Sequence, residues 1–184
     1  MNYTIDKDFF GKFDWGCYME GYKDAAILLL ESLPANQNET NRNKILPTLF
    51  LIRHFLELSF KEILYHEYFI NKTKDLETNH YLKTLWNKVK PKIERIFKEN
   101  QELKNNKYLF PYKSKLKNIN NLVVFFENHD PESFSFRYPR DKKLKKSTVP
   151  NKIEIDLEDL KANFKIVQSF LSNFIPIYIL NDMY

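Results

Sequence analysis

The sequence of 184 residues is poor in cysteine and glycine, and it has no long apolar segment. Its single cysteine, Cys17, excludes a framework of internal disulfides. Three glycines leave little material for tight turns and for the glycine-rich loops that hold phosphates. No uncharged apolar run of about 18 residues is present, so we expect no membrane span. The first residues also lack the basic and apolar regions of a signal peptide, which favours a cytoplasmic protein.

Metal and cofactor chemistry has equally little support in the sequence. The four histidines and the one cysteine lie at positions 17, 54, 66, 80 and 129. This spacing matches no zinc-binding motif. We therefore predict neither a metal nor a cofactor.

What the chain does contain in quantity is aromatic residues and positive charge. The 16 Phe, the 11 Tyr and the 43% of hydrophobic residues indicate a globular protein. Residues 80–146 contain 17 Lys and Arg against 7 Asp and Glu, a net charge of +10, while the remainder holds 12 against 17, a net charge of −5. A basic central region is typical of nucleic-acid-binding proteins. The alternative is that abundant Lys and Asn reflect the base composition of the genome.

The spacing of apolar residues predicts a mainly α protein that forms one domain over residues 1–184. The predicted helices span residues 14–33, 42–70, 80–100, 115–130 and 157–180. Pro91 is expected to kink or split the third helix. Asp156 and Asp159 resemble a capping box at the start of the last helix.

A different period appears before the last helix. Phe134, Phe136 and Tyr138 alternate with polar residues, and Ile153 and Ile155 do the same. Alternation of this kind is typical of strands. The sequence therefore predicts a small β-hairpin, with a basic loop between its strands.

The strongest candidate for a site lies in the second predicted helix, within FLIRHFLELSFKEIL at 50–64. At about 100° per residue, its charged residues form a stripe roughly a quarter of the circumference wide on a mostly apolar helix. These residues are Arg53, His54, Glu57 and Lys61. One interpretation is a ladder of surface ion pairs. The other is a site in which Glu57 orients Arg53 and His54 exchanges a proton.

Two further residues and one loop extend this candidate site. His80 opens the third predicted helix, either as an acid–base residue or as a residue of the capping region. Arg137 lies between Phe136 and Tyr138, where it either leaves the core or stacks on a tyrosine and binds a carboxylate. The candidate nucleic-acid ligands of the basic loop are Arg140, Lys142, Lys143, Lys145 and Lys146.

Three segments together carry a resemblance to a known family. LFLIRHFLELSFKEIL, then HYLKTLW, then DPESFSFRYPRD follow one another in this order. This resembles a group of HEPN-like helical bacterial proteins with the pattern RHxxELxLK, HxLxxLW, FRYP. The resemblance implies an antiparallel helical bundle, often dimeric, acting in toxin–antitoxin, phage-defence or RNA-processing systems.

The resemblance also implies a chemistry, which is metal-independent cleavage of RNA by an arginine and a histidine. The sequence departs from the standard motif of these ribonucleases, because no His follows an Arg after a gap of four to six residues. A catalytic site would instead combine Arg53, His54 and His80, with Glu57, Lys61 and Arg137 in support. The alternative is a non-catalytic module that binds a partner protein or a second copy of itself, and in which Arg53, Glu57 and Arg137 form a buried polar network.

Overall fold

The computed structural model describes residues 15–34, 39–71, 78–140, 143, 145–149 and 152–181. These residues are mainly helical, which confirms the predicted class. The elements are α1 (Trp15–Ser32), α2 (Glu39–Asn71), α3 (Leu82–Glu99), a 3₁₀ turn (Gln101–Asn105), α4 (Tyr112–His129) and α5 (Leu157–Asn181). None of the described helices is long and apolar enough to cross a membrane.

Helix α2 is the central element of the fold. It has 33 residues and therefore a length of about 50 Å. It packs against α1, α3 and α5. The segment that carries the charged stripe is buried almost throughout, since Phe55, Leu56 and Phe60 have no exposed surface.

Helices α3 and α4 form an antiparallel hairpin. The Trp86 indole N–H, near the start of α3, donates to the side-chain oxygen of Asn120 in the middle of α4, at 3.3 Å. Helix α3 runs without a break through Pro91, so of the two predicted effects of Pro91, a kink or a split, the split is wrong. Pro91 has no N–H group to donate to the carbonyl of Asn87. Both residues are exposed. Water can therefore replace the missing hydrogen bond.

The predicted β-hairpin is wrong as well. The segment that follows α4 forms consecutive turns, because the Asp130 carboxylate accepts the backbone N–H groups of Phe134 and Ser135, each at 2.7 Å. Those amides are therefore not available to a strand ladder. Within the described residues, strand-like pairing is limited to one isolated antiparallel bridge between Arg140 and Ser147.

Residues 152–156, directly before α5, belong to no helix or strand. Ile153 and Ile155 pack on the core, whereas Lys152, Glu154 and Asp156 are exposed. The alternation in sequence thus corresponds to burial of every second side chain, without the pairing of a strand. Asp156 then caps α5, because its Oδ1 atom accepts the Asp159 N–H at 3.0 Å.

Candidate functional site

Arg53 is the first residue of the charged stripe and has no exposed surface. Its Nε atom donates to the carbonyl of Asp130 at 2.9 Å, and its Nη1 atom donates to Glu57 Oε2 at 3.1 Å. Its Nη2 atom donates to the carbonyls of His80 at 2.8 Å and Pro131 at 3.0 Å. These contacts use four of the five N–H groups of a guanidinium. Arg53 therefore joins α2 to the segment before α3 and to the end of α4.

This environment decides between the interpretations of the stripe. Burial lowers the pKa of the Arg53 guanidinium, and the charges of Asp130 and Glu57 offset this lowering only in part. Both side chains of the Arg53–Glu57 ion pair are buried. The interpretation as a ladder of surface ion pairs is therefore wrong. In this arrangement Arg53 has no surface on which a bound phosphate could lie.

Glu57 is the second member of the buried group, with 1% of its surface exposed. Its Oε2 atom accepts from Arg53, and its Oε1 atom accepts from Lys61 Nζ at 2.9 Å. Burial by itself would raise the pKa of the Glu57 carboxyl, but the hydrogen bonds and charges of Lys61 and His80 lower it below its usual value. Glu57 is therefore ionised at neutral pH. Lys61 is itself mostly buried, and its Nζ lies 5.9 Å from the centre of the Trp15 ring.

His80 connects this buried group to the surface. Its Nδ1 atom lies 2.6 Å from Glu57 Oε1. The His80 side chain is 63% exposed, while that of Glu57 is 2% exposed. Because Nδ1 is hydrogen-bonded to the Glu57 carboxylate, Nε2 is the ring nitrogen that remains for an incoming ligand. A buried carboxylate that orients an exposed imidazole is an arrangement suited to proton transfer.

His54 is adjacent to Arg53 in sequence but lies in different surroundings. Its ring stacks on Phe50 with the centroids 5.4 Å apart, and it meets the edge of Tyr22 at 4.3 Å. Burial is the largest cause that lowers the pKa of His54; Glu57 acts in the opposite direction, and the positive charges of Arg137, Lys61 and Arg53 lower the pKa further. His54 is consequently neutral at pH 7.

Arg137 leaves the core, as one of the two interpretations predicted, and it also stacks on aromatic rings. Its guanidinium lies 5.5 Å from the centre of the Phe50 ring and 5.6 Å from that of Tyr138. Its Nε atom donates to the carbonyl of Ser133 at 2.5 Å. Phe50 contacts both Arg137 and His54, so these two polar side chains share one side of α2.

The basic loop is exposed wherever the structure describes it. Its described members are Arg140, Lys143, Lys145 and Lys146. Lys142 lies outside the described residues. Arg140 and Ser147, at the two ends of this part of the loop, form an isolated antiparallel bridge.

Asp130, the last residue of the predicted fourth helix, belongs to this group although it was not among the predicted site residues. It has no exposed surface, and its Oδ2 atom lies 3.7 Å from Arg53 Nε. The sequence did contain the signal for such a turn, because an Asp directly before Pro, here Asp130 before Pro131, is typical of a turn that an Asp side chain closes. No local signal indicated that the same carboxylate would face Arg53.

The structure thus divides the predicted site residues into two neighbouring groups. Arg53, Glu57, Lys61 and His80 form one hydrogen-bonded group. His54 and Arg137 are linked to it through Phe50 and through α2. Among the described residues, no three His, Cys, Asp or Glu side chains are placed to hold a metal ion. Models of known protein families, curated proteins and solved structures give no match to this chain.

Proposed function

We propose that the protein is an RNA-associated, HEPN-like protein that cleaves RNA without a metal ion. The observation that carries this proposal is the exposed His80 imidazole, held by the buried Glu57 carboxylate at 2.6 Å. The basic central region of the sequence supports RNA as the substrate, since its charge complements a phosphate backbone. The resemblance in sequence motifs supports a role in phage defence or in a toxin–antitoxin system.

In the proposed reaction, Nε2 of neutral His80 accepts the proton of a ribose 2′-hydroxyl, and O2′ attacks the adjacent phosphorus. The P–O5′ bond breaks as the O2′–P bond forms, which yields a 2′,3′-cyclic phosphate and a 5′-hydroxyl end. The leaving 5′ oxygen takes a proton from water, because His54 has a lowered pKa and is not charged at pH 7. Glu57 stabilises the imidazolium that forms at His80.

The arginine that stabilises the developing phosphorane charge in this proposal is Arg137. It is exposed, whereas Arg53 is buried and donates to four protein acceptors. Arg53 is then a positioning residue, since it fixes the backbone of His80. The basic loop with Arg140, Lys143, Lys145 and Lys146, together with Lys142, would contact the flanking phosphates.

The test is cleavage of a mixed set of end-labelled RNAs in EDTA. We expect wild type to produce 2′,3′-cyclic phosphate ends, and His80→Ala to be slower by about 10²-fold or more, as for loss of a general base. His66→Gln is the matched control, because His66 lies farther along α2 and contacts Tyr178. No cleavage by wild type, or equal cleavage by a folded His80→Ala variant, would refute the catalytic proposal.

The cellular role has its own test. Controlled expression in a bacterial host should arrest growth with wild type and not with His80→Ala, at equal protein levels. Growth arrest by both proteins would point to a toxic effect that does not depend on RNA cleavage.

A second candidate function is a non-catalytic module that binds a partner protein or a second copy of the chain. The observation that favours it is the complete burial of the Arg53–Glu57 pair, which fits a network that holds helices together. Tyr18 and Leu28 on α1 are 51% and 68% exposed and would contribute to an interface. Sedimentation equilibrium of wild type and Leu28→Glu tests this candidate, which predicts a dimer that the substitution dissociates.

A further inference from the structure

We infer that single-stranded RNA lies along the groove between α3 and α4, with its phosphates on Lys90, Lys113 and Lys117. This inference rests on the proposed function and adds a location for the substrate. The groove has a volume of about 370 Å³. Its lining residues are Lys90, Glu94, Lys113, Leu116, Lys117 and Asn120.

The charges of this groove fit a polyanion. Three of its lining residues are lysines, and all three are exposed. Glu94 is the single carboxylate among them, and it pairs with Lys90 at 4.0 Å. The α3–α4 hairpin as a whole, residues 82–129, contains 11 Lys and Arg against 4 Asp and Glu, a net charge of +7. A groove with this balance attracts phosphates along its length.

The opposite side of α4 has the opposite charge. A groove of about 350 Å³ between α4 and α5 has an acidic rim formed by Glu154, Asp156 and Asp159. Phosphates would be repelled there. A single strand that follows α4 is therefore confined to the side of α3.

Because α3 and α4 are antiparallel, one end of this groove points toward His80. Arg53 binds the carbonyls of His80, just before α3, and of Asp130, just after α4. One turn into α3, Trp86 meets Asn120, which also lines the groove. Lys90 follows, about 12 Å along the axis from the first residue of α3. A strand that extends beyond the groove in this direction reaches the end of the hairpin that carries the exposed imidazole.

Exposed aromatic rings lie at the far end of the hairpin. Tyr108 and Phe110, between the 3₁₀ turn and α4, are 47% and 45% exposed. Lys107 Nζ lies 5.0 Å from the centre of the Tyr108 ring. Aromatic rings combined with lysines form the stacking and phosphate contacts by which proteins bind single strands without sequence preference.

Binding of a fluorescein-labelled 2′-O-methyl oligouridine, which has no 2′-hydroxyl that could react, to the full chain tests this inference, by fluorescence anisotropy in EDTA over a range of salt concentrations. Removing three phosphate contacts, in Lys90→Ala/Lys113→Ala/Lys117→Ala, should reduce the slope of log Kobs against log salt by about 2. Tyr108→Ala should weaken binding by about fivefold or more with an unchanged slope, because stacking is not ionic. Lys165→Ala, on the exposed side of α5, is the matched control and should change neither quantity.

The outcomes separate this inference from the proposed function. If wild type binds RNA and the folded triple variant binds with the same affinity and slope, the groove is not the binding site, while the proposed function stands. If wild type binds no RNA at any salt concentration, both fail. If poly-glutamate binds as tightly as oligouridine and depends on the same lysines, the groove takes polyanions in general and the assignment to RNA is wrong.

Discussion

Nε of Arg53 donates a hydrogen bond to the backbone carbonyl of Asp130, 2.9 Å away and 77 residues later in the chain. The same guanidinium binds the carbonyl of His80 and the carboxylate of Glu57. One buried side chain therefore holds the start of α3 and the end of α4 against α2. The exposed imidazole of His80 takes its position from this arrangement, which links the stability of the bundle to its candidate site.

Replacing Arg53 by Met should destabilise the protein by about 3–5 kcal/mol, because it removes the donor to Glu57 Oε2 and to the carbonyls of Asp130, His80 and Pro131. Urea unfolding measures this change. Lys165→Met is the control, because Lys165 is exposed and a surface substitution should change the free energy of unfolding by about 0.5 kcal/mol or less. A loss below about 1 kcal/mol for Arg53→Met would show that water reaches these acceptors.

Asp130→Ala should lower the free energy of unfolding by about 1–3 kcal/mol, since the N–H groups of Phe134 and Ser135 lose their hydrogen-bond acceptor. Asp130→Asn retains a side-chain oxygen for those amides and should cost less. The exposed neighbour Glu132→Ala is the control. The midpoints of urea unfolding rank the three variants, and equal midpoints for Asp130→Ala and Glu132→Ala would contradict the role of the carboxylate.

The free energy of unfolding should fall as the pH is lowered from 7.5 to 5, and His54 should contribute to this fall. Burial lowers the pKa of His54 in the folded state, so the unfolded chain binds more protons below its ordinary pKa of about 6.5. The stabilisation is thus complete above that pH and is lost as the pH falls toward the folded value. His54→Asn should flatten the profile, and an unchanged slope would contradict this assignment.

The lowered pKa of Glu57 acts in a separate pH range. Its stabilisation is present above its ordinary pKa of about 4.3 and is lost as the pH falls through the lower folded value. Lys61→Met removes a hydrogen bond and a charge that lower this pKa. The variant should therefore unfold at a higher pH than wild type in an acid titration followed by circular dichroism. Lys165→Met serves as the control with an exposed lysine.

Asp156→Ala should destabilise the protein by about 0.5–2 kcal/mol, because the Asp159 N–H loses the acceptor that caps α5. Asp156→Ser provides a capping oxygen and should recover most of this loss. Thermal unfolding of the three proteins checks the order. If Ser recovers nothing, the effect of Asp156 comes from its charge near the helix start and not from the cap.

Much of the helical part of the fold could be predicted, because its signals are local. The period of Leu82, Leu85, Trp86 and Val89 indicates the buried face of α3, and these residues are buried. The prediction of a β-hairpin before α5 failed for a physical reason. A period of two shows that alternate side chains face one way, but it does not show whether the amides between them pair with a strand. In this protein Asp130 binds two of those amides.

The sequence by itself determined the helices, since apolar periodicity depends on neighbours three and four residues apart. It also placed Arg53, Glu57 and Lys61 on one face of that helix. Only the tertiary structure decided that this face is buried and that His80 is exposed. The acceptors of Arg53 come from Asp130 and His80, which are distant in sequence, and no local pattern records which distant groups will meet.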